Sequence, residues 1–471
     1  MSEIEYSDWM SETDALIWHM ERDPILRSTI TTVWILDKMP DEVRLRASLE
    51  KAVATIPRLS QRVVADPVGI SPPRWEVDPL FDPDYHIRRA RLAGSGNLRD
   101  LLDQTAPIAA QAFDKDRPLW EFHVLDAMAD GRVGVVMKLH HAIGDGVGLV
   151  DMAGALMDLS RDPPDDGVDH GADPTVAPSP DKRSSNGNQL RRAIQHQADV
   201  GLRRTIGGAA ALGRGVVDYA RDPVGTSKAM ADTASSIARS LRPVSSPMSP
   251  IMGERSLSAH FDAFTTEIDH LKAAARVVGG TLNDAYVAAI VGGLARYHRH
   301  HDAMVDELRM TMPINVRGVG DRDDVAGNSF APARFAVPLG IDDPVARMQA
   351  VGELVKEQRA EPAYARVGQI SAALFSLGPA LFTPLTGSLL KAIDFVTSNV
   401  PGPPFPVFVS GARIERLIGF GPLSGSGMNA TLYGYDGVAE IGIATDAAAV
   451  PDPDVLSECV VAGLAEVLEV A

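Results

Sequence analysis

Leu139-His140-His141-Ala142-Ile143-Gly144-Asp145-Gly146-Val147-Gly148 is the most informative stretch of this chain. The residues before it, Val133 to Leu139, are dominated by Val, Met and Leu and read as a strand. Those after it, Val147 to Leu159, carry helical apolar spacing. Two histidines therefore close a strand, a glycine-rich turn follows, and a helix begins. Such a turn holds an imidazole rigidly at the mouth of a cleft. Gly144 and Gly146 remove Cβ atoms where the backbone bends, so that Asp145 can point inward toward a cationic partner. A neutral imidazole takes a proton from an alcohol or thiol near neutral pH, which is general-base chemistry. The same two histidines also suit half of a metal site completed from elsewhere, and a single buried histidine is usually a satisfied core residue.

The segments around this turn alternate in period. Thr13 to Met20 reads as helix, Ile30 to Leu36 as β-branched strand, Glu42 to Thr55 as helix and Trp120 to Leu125 as strand, which gives a mixed α/β domain over residues 1–160. From Arg161 to about Gln189 the chain is Asp, Pro, Ser, Gly and Asn, with little to bury. Leu190 to Arg242 holds nine Lys/Arg against four Asp, the pattern of basic amphipathic helices. These two stretches define a linker and crossover over 161–250, whose helices either pack on the core or lie on a membrane surface. A second α/β domain spans 251–471: Leu282 to Tyr297 reads as helix, Leu308 to Ile314 and Phe330 to Val337 as strands, and Pro344 to Gln358 as helix. Ala392 to Val400 reads as a strand stopped by Pro401-Gly402-Pro403-Pro404, with short strands around Ile414, Leu432 and Ile441 before a last helix, Asp454 to Val470. The two halves show no sequence repeat.

Composition removes several classes of function. At 471 residues, 45% apolar and 23% charged, with a mean hydropathy of -0.02, the chain is that of an ordinary globular protein. Forty-five Lys and Arg against 62 Asp and Glu give a net charge of -17, so nucleic acid is not an expected partner. A lone cysteine, Cys459, forms no internal disulfide and no thiolate metal cluster, and in an apolar helix it reads as a buried, inert thiol. The acidic start, Met1 to Asp8, lacks the features of a signal peptide, and no stretch of about 18 apolar residues suggests a spanning helix. Any membrane contact is expected to be peripheral. His298, His300 and His301 sit among Arg and Asp at a helix end and read as a solvated cluster complementing the helix dipole rather than a metal site. No metal or cofactor is expected. G-x-S-x-G, H-E-x-x-H and Walker-type loops do not occur.

His140 to Gly146 forms an H-H-x-x-x-D-G motif, and three further elements follow the same order as in one family. These are Arg117-Pro118-Leu119-Trp120-Glu121, Thr281-Leu282-Asn283-Asp284 and Ser398-Asn399-Val400-Pro401-Gly402-Pro403. Together they resemble the bacterial bifunctional wax ester synthase/diacylglycerol acyltransferase family of the CoA-dependent acyltransferase superfamily. The resemblance implies two chloramphenicol acetyltransferase-like α/β domains of mixed sheets with a cleft or tunnel between them. It implies transfer of a long acyl chain from acyl-CoA, as co-substrate, to a diacylglycerol or a fatty alcohol.

By the same resemblance His141 is the general base beside His140, Asp145 orders the loop with Gly146, and Arg317 pairs with Asp145. Asn283, followed by Asp284, is the candidate donor to the oxyanion, or else a helix cap. Pro118, Leu119 and Trp120 read as a wall of the acyl tunnel or as plain core, and Asn399, Val400 and Pro401 as a turn at the domain interface. One departure stands out: where family members often carry a Pro-Met-His-Val-Gly-like stretch, this chain has Asp23-Pro24-Ile25-Leu26-Arg27-Ser28-Thr29-Ile30. Its consequence falls on the acceptor. The alternatives are a transferase acting on another hydroxyl or an amine, and a lipid-binding homologue without activity. The expected location is cytoplasmic, at the inner membrane face or on lipid droplets.

Overall fold

The computed structural model describes residues 6–65, 71–144, 154–163, 246–315, 330–361 and 378–471, with 235, 244, 370 and 371 as isolated positions besides. Two six-stranded mixed sheets carry the chain. Among the described residues the first half contains helix α1 (Glu12–Met20), strand β1 (Thr29–Leu36), helix α2 (Glu42–Thr55), the ribbon β2 (Gln61–Val64) and β3 (Arg74–Val77), and helix α3 (Pro83–His86). It continues through β4 (Ile87–Arg91), helix α4 (Leu98–Ala110), β5 (Trp120–Asp126) and β6 (Val133–His140). Each longer helix begins where the sequence supplies a cap: Ser11 accepts the N–H of Asp14, Asp41 that of Arg44, and Asn97 exchanges bonds with Asp100 in a capping box.

Strand β6 shows why the first sheet has two cores. Val133, Val135, Met137 and Leu139 point into a cluster with Trp34, Trp120 and Phe122, whereas Val136 faces Leu101 and Leu102 of α4. Gly134 lies on the α4 side, and a Cβ there would fall 2.5 Å from Leu101 Cδ1, so the glycine sets how closely the helix approaches. Lys138 and His140 continue that face toward the end of the strand.

The second half contains β7 (Ala259–Glu267), α5 (Ile268–Val277), α6 (Leu282–His300), β8 (Glu307–Asn315), β9 (Phe330–Pro338), α7 (Pro344–Arg359) and α8 (Pro379–Lys391). It ends with β10 (Phe395–Pro401), β11 (Phe408–Val409), β12 (Ala412–Phe420), β13 (Met428–Tyr435), β14 (Val438–Asp446) and α9 (Pro453–Leu468). Its sheet runs β7-β14-β13-β10-β8-β9, with β8, β10 and β13 parallel. Helix α6 is enclosed along nearly its whole length, from Asp284 to Ala295, between the sheet and α9. The burial of its Val, Ile, Leu and Tyr side chains contributes about 1.5–3 kcal/mol each. Helix α9 touches α6 backbone to backbone: a Cβ on Gly463 would lie 2.5 Å from the carbonyl oxygen of Ala289 and from the nitrogen of Gly293.

The halves are interleaved rather than strung in sequence. The first sheet runs β11-β12-β1-β6-β5-β4, so two strands from the C-terminal third complete it, with Thr31 opposite Phe420. The sheets meet where Phe420 stacks on Phe261 at 4.3 Å between ring centres. Arg99 of α4 reaches Asp262 of β7 at 2.6 Å and also donates to the carbonyl of Phe261.

Two sequence expectations change here. His298 is fully buried, not solvated: Nδ1 lies 2.8 Å from the Leu294 carbonyl and Nε2 2.8 Å from Ser249 Oγ, and burial lowers its pKa. The tight α6 packing turns that helix end inward, while His301 pairs with Asp452 at 2.9 Å. Cys459 is half-buried against the second core, with its thiol pushed up by burial. Of the expected helix over 147–159, residues 147–153 fall outside the described residues, and 155–159 are not helix but a turn leading to a bridge between Asp158 and Phe408; the basic segment 190–242 falls outside the described residues but for position 235.

Candidate active site

The two histidines stand at the end of β6, in the middle of the first sheet, where β1 begins alongside. His140 is paired across the strands with Thr29, its N–H donates to the carbonyl of Leu119, and the N–H of His141 donates to the carbonyl of Ser28 at 2.8 Å. The chain then turns through residues 141–143, with Ala142 and Ile143 anchored in the core that also holds Leu119, Trp120 and Leu139. Backbone bonds on both sides and an apolar anchor beneath leave the His141 side chain half-exposed on a fixed base.

His140 is sealed. Its Nδ1 accepts the N–H of Ala142 at 3.0 Å, its Nε2 lies 2.9 Å from Glu21 Oε1, and Trp18 and Phe113 meet its ring edge-on at 5.6 and 6.1 Å. A charge cluster lies along the same face. Lys138, fully buried, donates to the Gln111 carbonyl at 2.7 Å, stands 4.3 Å over the Phe113 ring and sits 3.6 Å from Glu121. Burial pushes this ammonium down to about 8. Burial pulls the Glu121 carboxyl the other way, yet its bonds to His123 at 2.9 Å and its neighbours Lys138 and Arg88 hold it below the usual carboxylate value.

Leu119 and Trp120 come to the histidines through their backbone, and their side chains belong to the packed core. Leu119 is fully enclosed, the Trp120 indole N–H donates to the Leu59 carbonyl at 2.8 Å, and the His86 ring stacks on it at 4.3 Å. Pro118 is buried beside them. Asn283 and Asp284 open α6 in the second half. The cap is not Asn283: the Asp284 carboxylate accepts the N–H of Thr281 at 2.7 Å, while the half-buried Asn283 amide donates to Met312 Sδ at 3.6 Å. On β10, Val400 packs against the first core, with Asn399 and Pro401 exposed on either side. Asp145, Gly146 and Arg317 lie outside the described residues.

Between the sheets opens a cavity of about 80 Å³, walled by Thr29 and Thr31 of β1, Ala110 at the end of α4, Phe261, Phe420 and Ala444. The segment that departs from the family pattern supplies Pro24, Ile25 and Arg27 to the same wall. Sequence reading missed Glu21, Ser28 and Lys138. Two of them left a trace: Glu21 is an acid at a helix C-terminus, which the helix dipole disfavours, and Lys138 is a lone charge in an apolar strand. Among the described residues no group of three or more His, Cys, Asp or Glu is placed to hold a metal ion.

A pair of mixed sheets interleaved through the C-terminal strands, with a histidine pair locked at the end of a central strand, defines a two-domain acyltransferase-like fold. The solved wax ester synthase/diacylglycerol acyltransferase from Marinobacter aquaeolei VT8 shares it, with a TM-score of 0.61 at 20% identity over 98% of each chain. So does the first condensation domain of the calcium-dependent antibiotic synthetase, with a TM-score of 0.61 at 15% identity over 99% of this chain and 97% of that one. In sequence, residues 10–286 match the wax ester synthase/diacylglycerol acyltransferase catalytic domain and 326–467 the C-terminal domain of that family. A candidate diacylglycerol O-acyltransferase of Mycobacterium tuberculosis is 35% identical over 99% of this chain and 92% of its own length. The chain belongs to the wax ester synthase/diacylglycerol acyltransferase family and is an acyltransferase of that type.

Proposed function

We propose that this protein moves a long-chain acyl group from acyl-CoA to diacylglycerol, to a fatty alcohol, or to both, with His141 as the general base. The observation that carries the reading is the half-exposed His141 ring on a backbone fixed by Ser28 and anchored by Ala142 and Ile143. His141 takes the acceptor hydroxyl proton as the oxygen attacks the thioester carbonyl carbon. The carbon–sulfur bond then breaks, the proton passes from His141 to the departing CoA thiolate, and no acyl-enzyme forms. Asp145, with Gly146, orders the loop and pairs with Arg317.

Asn283 supplies a donor to the oxyanion. Its amide rests on a thioether, a weak acceptor, and so exchanges that contact at little cost. Acyl-CoA is co-substrate and no other cofactor takes part. Leu119 and Trp120 stiffen the strand beside the histidines, and Val400 holds the second sheet against the first core. Because the acceptors are insoluble in water, the protein works at the cytoplasmic membrane face or on lipid droplets; no single described helix is long and apolar enough to cross a membrane. The Asp23–Ile30 segment in the cavity wall favours one further reading, an acceptor other than these two.

The test is CoA-thiol release from long-chain acyl-CoA with diacylglycerol, fatty alcohol or no acceptor, comparing wild type with His141→Ala. Acceptor-dependent release that falls at least about a hundredfold in His141→Ala is expected. Release that survives the substitution removes His141 as base. No release with either acceptor, alongside measurable lipid binding, moves the assignment to another acceptor or to a binding protein.

A further inference from the structure

We propose that Glu21 is the positioning residue of this site, holding the histidine pair through His140; the role rests on the acyltransferase reading above. Glu21 follows the last turn of α1, where an acid opposes the helix dipole and needs compensation. Its Oε1 accepts the N–H of Ser28 at 2.8 Å and lies 2.9 Å from His140 Nε2, with Lys115 Nζ 4.0 Å from Oε2. Because His140 Nδ1 accepts the N–H of Ala142, that nitrogen carries no proton. The neutral ring therefore bears its proton on Nε2, the nitrogen 2.9 Å from the carboxylate.

The other half of the argument is backbone. Ser28, tied to Glu21 by its N–H, presents its carbonyl to the N–H of His141. One carboxylate oxygen thus touches both the residue before His141 in the chain and Ser28, the residue just ahead of β1 that accepts the His141 N–H. The side chain is 8% exposed, so no water replaces these contacts cheaply. Burial works to raise its pKa, but the contacts with His140, the Ser28 N–H and Lys115 outweigh it and leave the carboxyl below its usual value. His140 itself is sealed from the surface, so its fixed tautomer and angle act through the turn that carries His141.

The experiment compares wild type, Glu21→Gln, Glu21→Asp and Glu21→Ala, with His141→Ala as the inactive reference. Glutamine keeps an acceptor oxygen at the same reach and drops the charge; aspartate keeps the charge and withdraws the oxygen by one methylene. Glu21→Ala and Glu21→Asp are expected to lower kcat about ten- to hundredfold with KM for acyl-CoA little changed, and Glu21→Gln to restore most of it. In ¹⁵N-histidine-labelled protein, the His140 ring signals, assigned with His140→Asn, should show the Nε2–H tautomer that Ala142 imposes in every variant, with the Nε2–H signal of wild type moved and broadened in Glu21→Ala. Unchanged kcat in folded Glu21→Ala and Glu21→Asp overturns the proposal, as does a His140 Nε2–H signal indifferent to Glu21. If Glu21→Ala does not fold, the Asp and Gln pair decides. If wild type releases no CoA with either acceptor, the proposed substrates fall by themselves and the ring signals decide Glu21 separately.

Discussion

Around the histidine pair, burial decides which side chains carry charge. His19, one turn of chain from the site and packed against Phe382, is pushed down to about 4 by burial, with Arg22 and Lys115 adding to the effect. Between about pH 6.5 and 4 the unfolded chain binds a proton here that the native ring refuses, so stability falls as the pH falls through that window. Thermal melts across it should show a shallower loss in His19→Gln than in wild type. An identical slope in the two proteins would mean that the native ring is charged. Burial lowers Lys138 in the same sense, yet at about 8 the ammonium stays charged at neutral pH because Glu121, a carbonyl and an aromatic face surround it.

At the scale of elements, the second half depends on a helix crossing without side chains. Gly463→Ala should cost about 1–3 kcal/mol in denaturant unfolding, because the added methyl meets the α6 backbone rather than a movable side chain. Gly253→Ala, with open space around it and no positive φ, is the control and should stay within about 0.5 kcal/mol. Equal stability of both variants would mean that α6 and α9 separate freely. The elements that announce themselves in sequence are those with an unbroken period: Glu42–Thr55, Val133–His140, Leu282–His300 and Pro453–Leu468. Leu98–Ala110 and Pro379–Lys391 escaped reading because Pro107 and Pro384 interrupt them, and Ile87–Arg91 because three arginines erase the alternation of an edge strand. The motif located the histidines without help. It gave no sign of Glu21 or Ser28, whose parts in the site arise only when α1 and β1 are folded against β6.

For the whole molecule, the contact between α4 and β7 decides whether the halves behave as one. Arg99 touches His260, Phe261 and Asp262, and Asp262 is held in turn by His260 at 3.0 Å and by Ser457 of α9. A double-mutant cycle of Arg99→Ala with Asp262→Ala should give a coupling of about 1–2 kcal/mol, less than for a dry pair since the guanidinium is about a third exposed. Additive effects would mean that the stacked Phe261 and Phe420 carry the junction alone. The interleaving of the first sheet also bears on how the protein is made. Strand β1 is synthesised early, but the neighbour that covers one of its edges, from Ile414 to Phe420, emerges almost 400 residues later. At about 5–20 residues per second the ribosome leaves that edge open for roughly 20–80 s. Throughout this interval the nascent chain carries a strand with one edge unpaired and Val33, Trp34 and Ile35 at its centre, the kind of surface that holdase chaperones cover.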